Sequence, residues 1–274
     1  MSDSLAAWLA LREHADAAAR SMRLARLVAS RLAGRDSIRI LDLGTGTGSN
    51  IWYLANHLGG IRQQWLAIDH DPFLLDRVRE NAPSRLAERS DRVTIETRET
   101  DLGRLDFSDL VADRDLVTAS ALLDLVSDSW LQSLAEACHA VGAALLFAIT
   151  YNGHSECSPA EPEDSRILEL FNHHQHRDKG LGGPAAGPDA VASTVRAFRE
   201  VGYHVETEAT DWRLDPSDGR LQRELIEGWA YAATETDPSA ADTIADWRTR
   251  RLAHVERGHS QIVVGHDDIA AWSG

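Results

Sequence analysis

Two arrangements in this sequence are spaced for chemistry: glycines alternating behind an acid, and single acids that end short apolar runs. In IRILDLGTGTGSN, residues 38–50, Asp42 stands two positions ahead of Gly44, with Gly46 and Gly48 following. Glycines at this spacing let the main chain take positive φ and come close to a ligand. Asp69 ends a second run, WLAID, about twenty residues beyond the glycines. A carboxylate there can accept hydrogen bonds from both hydroxyls of a ribose, each contributing about 1.5–3 kcal/mol. Helix capping is its alternative role, although Asp71 already sits before Pro72 in the capping place.

The elements that must hold these residues follow from the apolar pattern. Residues 38–43 read as a buried parallel strand, and Ser49-Asn50 opens the helical pattern IWYLANHL, which Gly59-Gly60 stops. Ligands bind at such strand carboxyl ends in α/β sheets. A nicotinamide fingerprint asks for glycine or alanine at position 49, and Ser49 weighs against it. Further strands are expected at Arg92–Thr97, Asp115–Ser120, Val141–Thr150, from Tyr203 towards Leu214, and in SQIVVGHDDI. Residues 3–33 read as helical with a break in REHADAAARS, and two more helical patterns, 217–234 and 239–257, are separated by Asp237-Pro238. Between Tyr151 and Gly187 the composition changes: YNGHSECSPAEPED is loop-like, Ser165–His176 helical, and DKGLGGPAAGP rich in glycine and proline.

The acid followed by alternating glycines, together with DLVTASALLDLV, resembles the class I S-adenosylmethionine (SAM) dependent methyltransferases. The resemblance implies a Rossmann-like α/β fold with a seven-stranded, mostly parallel sheet flanked by helices. On this chain it gives one domain over 1–274: a helical cap at 1–34, a SAM-binding core at 35–150, a flap at 151–187 and a helical insertion at 215–257. It also implies a SAM site built from Asp42, Gly44, Thr45, Gly46, Gly48 and Asn50 at the turn, and from Asp69 and His70 at the ribose. Asp101 would receive the adenine amino group beside the Leu102 backbone, with Glu99 as the competing assignment. Main-chain groups at Ser120 and Ala121 would line the methionine tail, and Arg20 would meet its carboxylate. SAM would leave as S-adenosylhomocysteine. Tyr151, directly after the fifth strand, and His154, one loop step further, are the candidates to orient or deprotonate an acceptor.

Composition narrows the acceptor. The formal net charge of −15 opposes a nucleic-acid substrate, and no N/D-P-P-Y/W signature for methylation of DNA bases or protein glutamine is present. A small molecule with a hydroxyl or amine is expected. Two cysteines, no apolar run long enough to span a bilayer and no secretory-type apolar core lead to a cytoplasmic expectation. His173, His174 and His176 lack the i, i+4 spacing of a shared helix face, so no metal is expected there. A catechol-type metal site would use carboxylates and an amide after the fourth and fifth strands, near Asp124 and Asn152, but Tyr151 stands where the paired acid before the asparagine belongs. A non-catalytic SAM- or nucleotide-binding regulator is the rival reading, a nicotinamide oxidoreductase the third, and homodimerisation stays open.

Overall fold

The computed structural model describes residues 2–274. Its centre is one sheet, and its strand order explains where a ligand can sit. The strands are β1 (Ser37–Leu43), β2 (Arg62–Asp69), β3 (Val93–Glu99), β4 (Leu116–Ser120), β5 (Ala144–Ser158), β6 (His204–Ala209), β7 (Trp212–Leu214) and β8 (Gln261–Trp272). They lie in the order β3-β2-β1-β4-β5-β8-β6, with β7 also on β8. β1 to β5 are parallel, and β8 enters antiparallel between β5 and β6. The chain runs outward from β1 to β3 and then returns to the other side of β1 with β4. The crevice between β1 and β4 is therefore the switch point at which such sheets bind ligands.

Burial on both faces makes the inner strands read as unbroken apolar runs rather than alternating ones. On β1, Ile38 and Ile40 join a core with Leu24 and Val28 of α2 (Met22–Leu32) and Ile51 and Leu54 of α3 (Ser49–His57). Leu41 and Leu43, pointing the other way by the two-residue period, join Trp130 and Leu134 of α6 (Asp128–Val141) and Phe198 of α8 (Ala190–Glu200). α4 (Pro72–Arg85) follows β2 and starts with Asp71 accepting from Phe73 N at 2.9 Å. α5 (Phe107–Val111) precedes β4.

The N-terminal helical pattern divides into α1 (Ser2–Ala19) and α2, with the break at Arg20-Ser21. Two expectations need correcting. Residues 151–158 are not a loop: β5 runs on to Ser158 against β8, with register shifts between Phe147 and Thr150 and between Tyr151 and Ser155. The single strand expected from Tyr203 towards Leu214 is broken at Thr210-Asp211 into β6 and β7, which gives eight strands in place of seven. Thr210 turns there to donate its hydroxyl to buried Asp268, at 3.1 Å.

The protruding ends of β5 and β8 need a core of their own. α7 (Asp164–Gln175), α9 (Gly219–Thr236) and α10 (Ala241–Glu256) supply it, burying Leu170, Trp229 and Trp247 with β7. The expected insertion between the sixth and last strands is thus α9 and α10. Arg251, fully buried, fastens this unit. It donates to both carboxylate oxygens of Asp164 and to Pro159 O, while Trp247 Nε1 donates to the same carboxylate at 2.7 Å. Asp164→Ala leaves the guanidinium without its counter-charge and is expected to lower stability by about 3–5 kcal/mol. Urea unfolding with an unshifted midpoint would remove Asp164 as the fastener.

Candidate functional site

Asp42 holds the glycine turn from beneath. It is fully buried, and its carboxylate accepts from Thr45 Oγ1 at 2.6 Å and from Asn50 Nδ2 at 2.5 Å. Asn50 also donates to Thr118 Oγ1 at 3.1 Å, and that hydroxyl donates to Leu146 O at 2.6 Å, so the turn is tied to β4 and β5. Burial pushes the Asp42 carboxyl up to about 6, against the opposing pull of its two donors and of Arg20. The second strand braces the turn from the side. Thr45 N donates to Ile68 O, and Gly46 N to Asp69 Oδ2, both at 2.9 Å.

These ties shape a cavity of about 790 Å³ at the β1–β4 crevice. Gly44 and Gly46 form its floor, and Asp69, His70, Asp101 and Leu102 one side. Ser120 and Ala121 at the end of β4, with Ile149 and Tyr151 within β5, form another. Asp101 reaches it and Glu99 does not. Ala121 and Ile149 both have φ 53, a conformation rarely open to a β-branched side chain and found where surroundings impose it. Here Ile149 N donates to Asp268 Oδ1 at 2.8 Å and Ala121 N to Ala148 O at 3.0 Å. The cavity is covered by Leu5, Trp8, Leu9 and Arg12 of α1, and by Lys179, Gly180 and Leu181 of the glycine-rich segment.

A narrow recess continues from it beneath α1, lined by Arg12, Asp16, Thr45, Ser49 and Asn50 among others. Arg12 grips Asp16 with two bonds of 2.9 and 3.0 Å, and Trp212 Nε1 donates to Asp16 Oδ1 at 3.1 Å.

Several expected residues are placed differently. Asp42 and Gly48 do not line the cavity: Asp42 is consumed inside the turn, and Gly48 is the N-cap residue of α3, backed by the Trp52 ring. Arg20 is not on the cavity wall either. It lies over the Tyr53 ring at 4.2 Å, buried near Asp268, Asp42 and Asp16, with its Nη2 unbonded. His154 is outside the cavity and half exposed, with Nε2 3.3 Å from Glu156; it lies within β5, just after the positive-φ Gly153. Tyr151 is on the wall, but its O–H donates to Asn172 Oδ1 at 2.7 Å and burial pushes the phenol up.

Four side chains on the wall carry no signal in the sequence: Arg12, Asp124, Lys179 and His266. Only Asp124 drew notice, as an improbable metal ligand, and among the described residues no three His, Cys, Asp or Glu side chains gather as a metal site. His174 instead sits 3.0 Å from Glu235, and His176 Nδ1 lies 3.2 Å from Ala185 O.

The residues present fit SAM. Glycines floor the site, the acids Asp69 and Asp101 stand on one side of it, and the recess under α1 offers a cation and an acid to a group bearing both charges.

Asp42 also has a pH signature. Its folded carboxyl keeps its proton to higher pH than the ordinary value near about 3.9. Its contribution is therefore fully present below that pH and lost as pH rises through about 6. In Asp42→Asn the amide oxygen can still accept from Asn50 while its nitrogen donates to the Thr45 hydroxyl. That variant should fold and show a flatter stability profile between about pH 4 and 6. An unchanged profile in denaturant titrations would assign the pH dependence elsewhere.

Residues 40–143 match the family model described as the methyltransferase domain. A direct comparison with curated proteins finds no match. Among solved structures, a putative methyltransferase from Bacillus halodurans is 14% identical with a TM-score of 0.50, over 92% of this chain and 97% of that one. The YcgJ protein from Bacillus subtilis is 13% identical with a TM-score of 0.50, over 93% and 100%. The cyclopropane synthase MmaA2 from Mycobacterium tuberculosis is 10% identical with a TM-score of 0.48, over 91% and 82%. Identities this low speak for the fold; the matched segment, residues 40–143, spans the glycine turn, Asp69, Asp101 and the Ser120-Ala121 corner. Residues 40–143 of this chain form a methyltransferase domain of the SAM-dependent kind.

Proposed function

We propose that the enzyme transfers the methyl group of SAM to a hydroxyl or amine of a small molecule, held in the cavity between α1 and the strand ends, and that it does so in the cytoplasm. The enclosure of that cavity carries the reading. Its volume of about 790 Å³ is within the range of about 300–1,000 Å³ typical of small-molecule sites, and the cofactor takes a large share of it. A net charge of −15 opposes polyanionic acceptors. No helix among the described residues is long and apolar enough to cross a membrane.

Bound SAM supplies an electrophilic methyl carbon whose leaving group is a neutral thioether. The protein's part is binding and alignment. Asp69 keeps acceptor capacity for the ribose, and Asp101 for the adenine amino group. The main chain at Ser120 and Ala121 lies along the methionine tail, and Arg12 and Asp16 meet its charged end. Holding an acceptor in line with the methyl contributes about 7–11 kcal/mol of barrier lowering. α1 and the 179–181 segment act as lids that exclude water. Tyr151 orients the acceptor through its ring and its Asn172 bond, since a phenol with a raised pKa is a poor base. His154 takes no part.

Calorimetry and turnover test these roles separately. SAM and S-adenosylhomocysteine should bind at micromolar level and NAD should not; the reverse would sink the reading. Asp69→Ala should weaken both ligands by more than about 1 kcal/mol, and Asp101→Asn by less, because an amide oxygen still accepts. The opposite ranking would exchange the ribose and adenine assignments. Tyr151→Phe should lower turnover with SAM affinity intact, whereas His154→Ala should match wild type; equal losses in the two variants would return His154 to the site.

A further inference from the structure

We propose that the acceptor is a zwitterion, an amine that also carries a carboxylate, with its ammonium held at Asp124 and its carboxylate at Lys179. This rests on the methyltransferase reading above and specifies the acceptor.

Asp124 and Lys179 are opposite charges on one cavity wall that do not pair. The Asp124 carboxylate accepts only from its own backbone N–H, and Lys179 has no hydrogen bond or ion pair with any described residue. Each feels the other's charge without coming within salt-bridge distance. Burial raises the Asp124 carboxyl and lowers the Lys179 ammonium, so both are partly withdrawn from water. Two other withdrawn pairs in the protein are matched, Arg251–Asp164 and Arg12–Asp16. Leaving two unmatched charges in a closed cavity is unfavourable unless a ligand completes them.

The third charged group, Arg12, acts on Asp124 by its charge but forms no hydrogen bond or ion pair with it, its Nε and Nη2 being bonded to Asp16. The remaining walls suit an ammonium beside Asp124. Trp8 and Tyr151 offer aromatic surface. His266 is 5% exposed, and its Nδ1 has no partner. Burial, and then the Arg12 charge, drive its pKa down to about 3, so it offers hydrogen bonding without adding positive charge. A neutral alcohol would leave both Asp124 and Lys179 unmatched, and a simple anion would face Asp124.

The proton accounting closes on these residues. The substrate ammonium gives a proton to the Asp124 carboxylate, and the freed nitrogen lone pair forms the bond to the methyl carbon. The carbon–sulfur bond breaks with its electron pair left on sulfur. The product leaves as a methylated ammonium still bearing its carboxylate, and the Asp124 proton passes to water.

The experiment uses the whole enzyme, SAM and three matched acceptor panels: amino acids, the same amines lacking the carboxylate, and the corresponding hydroxy acids. Release of S-adenosylhomocysteine is followed, and SAM affinity is measured by calorimetry for each variant. Amino acids should exceed both other panels in kcat/KM by about tenfold or more, about 1.4 kcal/mol. Lys179→Met should lower kcat/KM for amino acids by about tenfold more than for the decarboxylated amines, removing the preference between the two panels. Asp124→Asn should lower kcat/KM for both amine panels by about tenfold or more, with SAM affinity at the wild-type value. Hydroxy acids or decarboxylated amines used as well as amino acids would overturn the proposal, as would variants that alter all three panels equally. SAM binding with no product from any panel would overturn it while leaving the methyltransferase reading in place; absence of SAM binding would remove both.

Discussion

The structure depends on a buried carboxylate that touches no ligand. Asp42 sits at the carboxyl end of the central strand, where the main chain must turn through three glycines without a side chain to guide it. Glycine permits such a path but does not select it. Selection comes from Asp42 drawing in the Thr45 hydroxyl and the Asn50 amide, one on each side of the turn. Asn50 carries the constraint to Thr118 and so to the neighbouring strands. A carboxylate kept from water is unfavourable in itself, and here the desolvation is offset by hydrogen bonds that fix the turn.

A second carboxylate does the corresponding work on the acceptor side. Asp268 of β8 accepts from Ser21 N at the α1–α2 break, from Ile149 N at the strained corner of β5, and from the Thr210 hydroxyl at the β6–β7 break. Three irregular points of the chain converge on one side chain. Each is a place where regular pairing stops and a backbone donor or a polar side chain needs an acceptor. The cap helix is thereby positioned by the same group that holds the β5 corner against the cavity.

How much of this could be read from the sequence differs between the two halves. The cofactor half is written locally: strand, turn and helix start within residues 38–50, and an acid ends each of the next two runs. Local patterns of that kind survive without tertiary context. The rest of the cavity is assembled from distant pieces, so Arg12, Lys179 and His266 carry no signal in the sequence until the fold brings them to one cavity. Arg20 and Arg12 occupy similar sequence settings, and only the helix break at Arg20-Ser21 decides which of them faces the recess. His154 was misplaced because a loop was expected where β5 continues; the glycine kink within a strand leaves little trace in composition. The eight-for-seven strand count comes from a polar break at Thr210 whose cause, Asp268, lies near the end of the next strand.

β8 enters the sheet last and antiparallel, between strands already made, and contributes both Asp268 and His266. During synthesis the glycine turn, its braces and the acids after β2 and β3 are complete long before that strand appears. The acceptor wall waits for it, since Ile149 cannot be held at its corner, nor the α1–α2 break anchored, until Asp268 arrives. Pairings over such sequence distances form late because loop closure precedes any gain from contact. In a nascent chain of this protein, therefore, the residues of the glycine turn are all synthesised before the strand that anchors the α1–α2 break and the β5 corner.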